Sequence, residues 1–133
     1  MNKEFSYTLI DNTLRVREEN SKRVFWEGKP KDIPVEAVFS IHSSNDCIVL
    51  LNWRKASVLS TQNLLRCNPE GQIKWEVNIP PSKNEYLGIK RDSEIYVKIK
   101  DITETRVEAH TFSGFLDSID IATGEVINSI FTK

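Results

Sequence analysis

Alternation of apolar and polar residues dominates this chain, and helical periodicity is scarce. In "IYVKIK", residues 95–100, branched aliphatic residues alternate with tyrosine and lysine, so a strand there has one apolar face. Residues 86–90, "YLGIK", show a similar alternation. The link "RDSE", residues 91–94, has turn-forming composition. We therefore predict that residues 86–100 form one hairpin.

The remaining segments repeat this pattern of short strands and turns. Residues 5–27 contain three strand-like pieces separated by the turns "DNT" and "EENS", which predicts a three-stranded meander. Residues 35–41 and 47–53 form a second predicted hairpin, whose second arm is apolar on both faces, as in a covered central strand. Residues 101–112 fit a polar edge strand or a short helix, and their threonines favour a strand. At 133 residues, the chain is predicted to be a single all-β domain spanning residues 1–133.

One hairpin motif recurs along the chain. "LLRCNPEGQIKW", residues 64–75, aligns with "RVREENSKRVFW", residues 15–26, at an offset of 49 residues. "DSIDIATGEVIN", residues 117–128, aligns with residues 64–75 at an offset of 53. A period near 50 residues with four strands per unit is typical of sheets that stack as blades, because one such sheet cannot bury its faces alone.

Two residue types define the motif. Gly71 matches Gly124 in the turn, where a glycine adopts positive φ without steric cost. Trp26 matches Trp75 beyond the turn, where a large ring can fill the gap between neighbouring sheets. The third copy has Asn128 at the tryptophan position.

The hairpins "DIATGEVI", residues 120–127, and "NPEGQIKW", residues 68–75, resemble the outer hairpins of quinoprotein-type (PQQ-like) and WD40-like β-propeller repeats. The resemblance covers about half of the chain in short pieces and is specific to the hairpin, not to an activity. It implies antiparallel meander sheets that resemble two to two-and-a-half propeller blades, with a β-sandwich as the alternative. Because a closed ring needs at least about four blades, the axial quinone of those families does not carry over, and we predict no cofactor.

The overall composition argues against several classes of partner. The formal net charge of -1 and pI of about 6.1 give no general attraction to nucleic acid or to an anionic membrane. The N-terminus has no apolar segment typical of a secretory signal, and the longest apolar run, residues 47–51, is far too short to span a bilayer. Cys47 and Cys67 lie in apolar strand patterns and are predicted to be small buried hydrophobes. These features predict a cytoplasmic protein with free thiols.

Catalytic and metal-binding motifs are missing from the sequence. It contains no G-x-S-x-G, H-E-x-x-H, P-loop or G-x-G-x-x-G pattern. His42 and Cys47 could meet across a hairpin turn, but two ligands do not make a zinc site. We therefore predict that the chain is not an enzyme and holds no metal, with a ligand-binding or catalytic cleft near His42 and His110 as a less favoured alternative.

Charge is unevenly distributed along the chain. Residues 101–132 contain six acidic residues and one basic residue, a local balance of -5 in a chain whose total is -1. A surface of one sign speeds association with an oppositely charged partner and sets its register. The residues predicted to bind such a partner are Asp101, Glu104, Glu108, Asp117 and Asp120.

By elimination, the sequence predicts a protein that acts by binding. In type it resembles small bacterial immunity proteins, which implies a protein partner that is a basic toxin domain, such as a nuclease. The alternative is an oligomerising β-propeller-like scaffold, which the incomplete number of blades suggests.

Overall fold

The computed structural model describes residues 4–86 and 88–132, and it is built from three antiparallel sheets in which the strands follow chain order. Sheet 1 contains β1 (Phe5–Ile10), β2 (Thr13–Glu18) and β3 (Val24–Gly28). Sheet 2 contains β4 (Val35–Ser40), β5 (Cys47–Leu51), β6 (Leu64–Cys67) and β7 (Ile73–Glu76). Sheet 3 contains β10 (Tyr96–Ile102), β11 (Arg106–Thr111), β12 (Phe115–Asp120) and β13 (Val126–Phe131). The described chain also has a two-stranded hairpin, β8 (Glu85–Tyr86) and β9 (Ile89–Lys90), a helix α1 (Trp53–Leu59), and single 3-10 turns at Pro30–Asp32 and Pro81–Lys83.

The predicted meander in the N-terminal third is confirmed as sheet 1. Asp11 and Asn12 join β1 to β2, with φ of 51° and 58°. Two successive positive φ values make the two-residue turn that matches the natural twist of a hairpin, and Asp and Asn tolerate this conformation better than other non-glycine residues. This tight turn sets the register, in which Ile10 lies opposite Thr13.

Sheet 2 lies between the other two sheets, as the side chains of β5 show. All five residues of β5 are buried, as the sequence predicted for a central strand. Because successive side chains point to opposite faces, Val49 and Leu51 pack in a core with Leu14 and Val16 of sheet 1. Ile48 and Leu50 pack in a second core with the residues of sheet 3, Val107 and Ile119 among them.

The two tryptophans of the repeat join one sheet to the next. The ring of Trp26, on β3, lies so close to the turn of sheet 2 that a Cβ on Gly71 would be 2.3 Å from it. The ring of Trp75, on β7, lies in the same way against the turn of sheet 3, 2.6 Å from a Cβ built on Gly124. Trp75 Nε1 also donates a hydrogen bond of 2.8 Å to the carbonyl of Ile121. The repeated motif is therefore an inter-sheet contact, in which each tryptophan packs against the turn of the following sheet.

This contact also shows which strands correspond. Trp26 and Trp75 occupy equivalent places on β3 and β7, so β1 and β2 correspond to β5 and β6. In the described part of the chain, sheet 1 has no counterpart of β4 or β10. The turn of sheet 1 has Lys22, with φ of 59°, where the next copy has Gly71. Sheet 3 has Asn128 where the others have tryptophan. The outer face of sheet 1 therefore lacks the glycine of the inter-sheet contact, and the outer face of sheet 3 lacks the tryptophan.

The predicted hairpin over residues 86–100 is wrong. Strand β9 pairs with β8, whereas β10 pairs with β11. The link between β9 and β10 is not a solvent-exposed turn, because Arg91 and Glu94 are buried within it and pair with each other. Leu87, which the sequence assigned to this hairpin, lies outside the described residues.

Two further segments refine the sequence interpretation. Residues 101–112 are indeed extended, but β11 is an inner strand of sheet 3 and not an edge. The predicted strand over residues 47–53 ends at Leu51, and α1 follows. Within the described residues, no helix has the length and apolar character needed to cross a membrane.

Candidate partner-binding site

Four of the five predicted acidic residues lie on or near the surface of sheet 3. Asp101 and Glu104 are exposed at the connection between β10 and β11, whereas Glu108 and Asp120 are half-buried. The register places Asp101 directly opposite Glu108. Within the described part of the chain, none of these four carboxylates forms an ion pair, and like charges at opposite positions repel. We call these four residues the acidic rim.

The prediction for Asp117 is wrong, because its side chain is fully buried. Asp117 lies on the inner strand β12 and points into the protein, where its carboxylate accepts hydrogen bonds from Arg91 Nη2, Tyr96 Oη and Ser129 Oγ, each 2.7 Å long. A carboxylate that is enclosed and paired in this way cannot contact a partner.

Arg91 is the centre of the buried polar cluster around Asp117. Its guanidinium binds Glu94 Oε2 at 2.6 Å and lies 3.8 Å from the centre of the Phe115 ring. Burial, followed by the charge of Asp117, raises the pKa of Tyr96 well above its usual value, so the phenol stays protonated and donates. Because the cluster is closed to solvent, it holds the link before β10 against sheet 3 and does not offer a reaction site.

A groove of about 630 Å³ runs between the edge strands β4 and β10. Its walls include Phe39 and Ile102, and Asp101 and Glu104 of the acidic rim lie on one side. His42 also lines this groove, whereas His110 is half-buried on β11 and is not part of it. The two histidines of the alternative cleft hypothesis are therefore not both in this groove.

The two cysteines face each other across β5 and β6, where Cys47 lies opposite Cys67. Both are buried and unbridged. Burial, and after it the charge of Asp46, raises the pKa of Cys67 to about 12, so this thiol is a poor nucleophile and a poor metal ligand at neutral pH. Among the residues that the structure describes, no three His, Cys, Asp or Glu side chains are grouped to hold a metal ion.

The sequence reasoning missed an apolar surface on α1. The helix begins after Asn52, whose side chain accepts from the Lys55 N–H at 2.9 Å, and of its seven residues only Ala56 is buried. The signal was available in that cap and in the pair "VL" at the helix end, which has no strand partner. Trp53 stacks on Phe112, with ring centres 5.3 Å apart.

Three other side chains of this surface are strongly exposed. Val58 is 78% exposed, Leu59 51% and Phe112 62%. Arg54 lies over the ring of Trp53, 5.2 Å from its centre. Exposed apolar residues, an aromatic stack and an arginine on one short element are typical of protein-binding surfaces. We call Trp53, Val58, Leu59 and Phe112 the α1 surface.

Successive antiparallel meanders, stacked face to face and joined by a tryptophan against the next turn, define a β-propeller-like fold. Solved structures agree with this class. The chain is similar to the β-propeller domain of Cps50 (Swd1) from Myceliophteria thermophila, with a TM-score of 0.67 and 15% identity over 98% of this chain and 39% of that one. It is also similar to BamB from Moraxella catarrhalis, with a TM-score of 0.53 and 11% identity over 95% of this chain and 34% of that one. A third similar structure is the computationally designed Ika8 protein, with a TM-score of 0.62 and 12% identity over 100% of this chain and 35% of that one.

The chain thus spans about a third of the length of these structures, and at such low identity the similarity concerns the fold alone. Residues 31–131 match the model of a sequence family described as "Domain of unknown function (DUF7957)". The chain belongs to that family. No curated protein matches it.

Proposed function

We propose that this chain is a protein-interaction scaffold that acts by binding and not by catalysis. The α1 surface is the observation that supports this function best. Burial of one aromatic or large aliphatic side chain in an interface contributes about 1.5 to 3 kcal/mol, and such residues dominate interface energetics. Here Trp53, Val58 and Leu59 lie on a helix that contributes only Ala56 to the core, and Trp53 stacks on Phe112 in the link after β11.

The helix has no evident role inside the fold. Sheet 1 joins its equivalent strands, β1 and β2, with two residues, and sheet 3 joins β11 and β12 with Phe112, Ser113 and Gly114. Only sheet 2 inserts a helix at this connection. An insertion that exposes apolar residues costs solubility, and a partner that covers the helix would remove this cost.

The test is affinity enrichment from the native cell with three tagged forms of the protein. The wild type is compared with a Val58→Asp/Leu59→Asp double variant, and with Val24→Asp, an exposed apolar position on sheet 1 that is 47% exposed. We expect wild type and Val24→Asp to retain a common partner that the double variant loses, with all three showing the same melting temperature. Identical sets of bound proteins from all three would contradict the assignment of the α1 surface.

A narrower candidate is a cytoplasmic immunity protein that neutralises a basic toxin domain. The unpaired carboxylates of the acidic rim support this candidate, because an exposed cluster of one sign steers an oppositely charged partner. The test begins with the neighbouring genes: a toxin encoded there is purified and titrated against wild type, Asp101→Lys/Glu104→Lys, and the control Glu70→Lys on another turn. We expect only the first variant to bind more weakly, and more so at low salt. Equal affinity for all three would rule out the acidic rim.

Oligomerisation is a further proposal within the scaffold function. Because the outer faces lack the tryptophan and glycine of the inner contacts, self-association would have to use other surfaces, such as the α1 surface. Light scattering at increasing concentration separates these cases: a concentration-independent monomer mass would exclude a scaffold that works by self-assembly.

A further inference from the structure

We infer that the open edge of β1 accepts an extended segment of a partner protein as the fourth strand of sheet 1. This site differs from both the α1 surface and the acidic rim. It goes beyond a general binding function because it specifies how the partner is held, through main-chain hydrogen bonds to a strand edge.

The internal repeat supplies the first step. Sheets 2 and 3 each have four strands. In each of them the first strand, β4 or β10, pairs with the strand that corresponds to β1. Among the described residues, sheet 1 ends at β1 on that side. The place of the missing strand is therefore defined by two complete examples in the same chain.

The backbone of β1 is oriented to receive such a strand. Hydrogen-bonded and non-hydrogen-bonded pairs alternate along an antiparallel ladder. The N–H of Glu19 donates to the carbonyl of Glu4 at 2.9 Å, which fixes this alternation. By the register of β1 with β2, Phe5, Tyr7 and Leu9 then direct both N–H and C=O away from β2. Within the described chain, none of these three has a backbone hydrogen bond to another element.

Strand β1 also lacks three of the features by which proteins protect their edges. Natural edges carry charged residues, proline or bulges that block further pairing. Each of the other five edge strands of the three sheets, β3, β4, β7, β10 and β13, takes part in a register shift. The pairing of β1 is continuous, and its sequence "FSYTLI" contains no charge and no proline.

The surroundings of the edge indicate the chemistry of the segment. A groove of about 450 Å³ lies beside the first half of β1, lined by Phe5 and Tyr7 and by the turn that follows β4. Glu4 and Glu19 also line this groove, and Lys22 Nζ lies 3.7 Å from the Glu19 carboxylate. Because Glu19 already has this basic neighbour, a fitting segment is extended, alternates apolar with polar residues, and carries a lysine or arginine that reaches Glu4.

A peptide copied from this chain provides a defined probe. The peptide "EIYVKIKD", residues 94–101, contains most of β10, which occupies the equivalent place in sheet 3, and it has two lysines. Hydrogen exchange of the wild-type protein is measured with and without the peptide at millimolar concentration. We expect new protection at the amides of Phe5, Tyr7 and Leu9, and no change at Ser6 and Thr8, which already pair with β2.

N-methylated peptides serve as controls that leave the protein unchanged. Methylation of one alternate set of peptide nitrogens should weaken binding about tenfold or more, the effect of losing about 1.4 kcal/mol, whereas methylation of the other set should not. The Val58→Asp/Leu59→Asp variant should bind the peptide as tightly as wild type, so this test is independent of the α1 surface. Absence of protection at the three amides overturns the proposal. So does protection that rises with protein concentration alone, because the occupant would then be a second copy.

Discussion

Single residues set the spacing between the sheets of this protein. Gly71 and Gly124 have φ of 78° and 79° and lie under the rings of Trp26 and Trp75. Any other residue would meet two obstacles at these positions, because a side chain disfavours the left-handed conformation and its Cβ would overlap the ring. Glycine is therefore required at each position for two reasons: the turn needs a positive φ, and the neighbouring tryptophan leaves no room for a side chain.

Replacing Gly71 by alanine separates these two effects. We expect Gly71→Ala to lower the free energy of unfolding by about 2 to 4 kcal/mol, since it combines backbone strain with overpacking. Gly88→Ala is the matched control, because Gly88 has φ of 82° but no atom within 4 Å of a built Cβ. It should cost only the conformational part, about 1 to 2 kcal/mol. Urea denaturation of both variants measures the difference, and equal costs would show that the tryptophan moves aside freely.

Asp117 and Asp101 provide a second residue-scale comparison. Among the described residues, Asp117→Asn leaves the buried Arg91 with Glu94 as its only acidic partner, so we expect the free energy of unfolding to fall by about 3 kcal/mol. Asp101→Asn, at an exposed position, should change stability by less than about 0.5 kcal/mol. Thermal unfolding of the two variants reports both values. A similar small effect for both would mean that the buried cluster tolerates loss of the charge.

At the scale of elements, α1 contributes little to the core. It has seven residues, and only Ala56 is buried. Isolated helices of this length are unstable in water, so the cap at Asn52 and the stack of Trp53 on Phe112 carry much of its stability. A helix with so little buried surface can adapt to a partner at low energetic cost.

Removal of the cap tests this view of α1. Asn52→Ala should lose about 1 kcal/mol and raise hydrogen exchange at Ala56, whose N–H donates to Asn52 O. Exchange in β5 should not change, because that strand lies in both cores. Asn20→Ala, at an exposed turn position, is the control. Unchanged exchange in α1 would mean that packing alone holds the helix.

An element could be predicted from the sequence when residues close to it in the chain determine its structure. Sheet 1 and the hairpin of β4 and β5 were predictable because alternation and turn residues act within a few positions. The partners of β9 and β10 were not predictable, because Arg91 lies in a segment of turn composition and is buried by contacts with Asp117 and Ser129, far along the chain. The burial of Asp117 could not be predicted for the same reason. The uneven distribution of charge therefore placed this buried residue in the predicted binding site with four residues at or near the surface.

At the scale of the whole molecule, the three sheets form a stack with two different kinds of face. The inner faces share the tryptophan–glycine contact and two apolar cores. The outer faces have Lys22 and Asn128 at the corresponding positions. Polar faces limit further stacking in repeat proteins, so we expect Lys22 and Asn128 to disfavour the stacking of another sheet on these faces.

Restoring the contact should therefore create self-association. We expect a Lys22→Gly/Asn128→Trp double variant to associate head to tail, because the new tryptophan of one copy can pack against the new glycine of another. Sedimentation velocity at several concentrations gives the mass, and each single variant is the control because it supplies one half of the contact. A double variant that sediments like wild type would show that other features of the outer faces keep the copies apart.

The positions of the tryptophans have a practical consequence. The chain contains three, and each occupies a different junction: Trp26 between sheets 1 and 2, Trp75 between sheets 2 and 3, and Trp53 on the helix stacked with Phe112. Variants that keep one indole at a time would give three separate fluorescence signals. Emission from Trp26 or Trp75 would report the separation of one pair of sheets, and emission from Trp53 would report the binding of a ligand at α1. The order in which the pairs of sheets separate on heating would thus be measured from intrinsic tryptophan fluorescence, without an added dye.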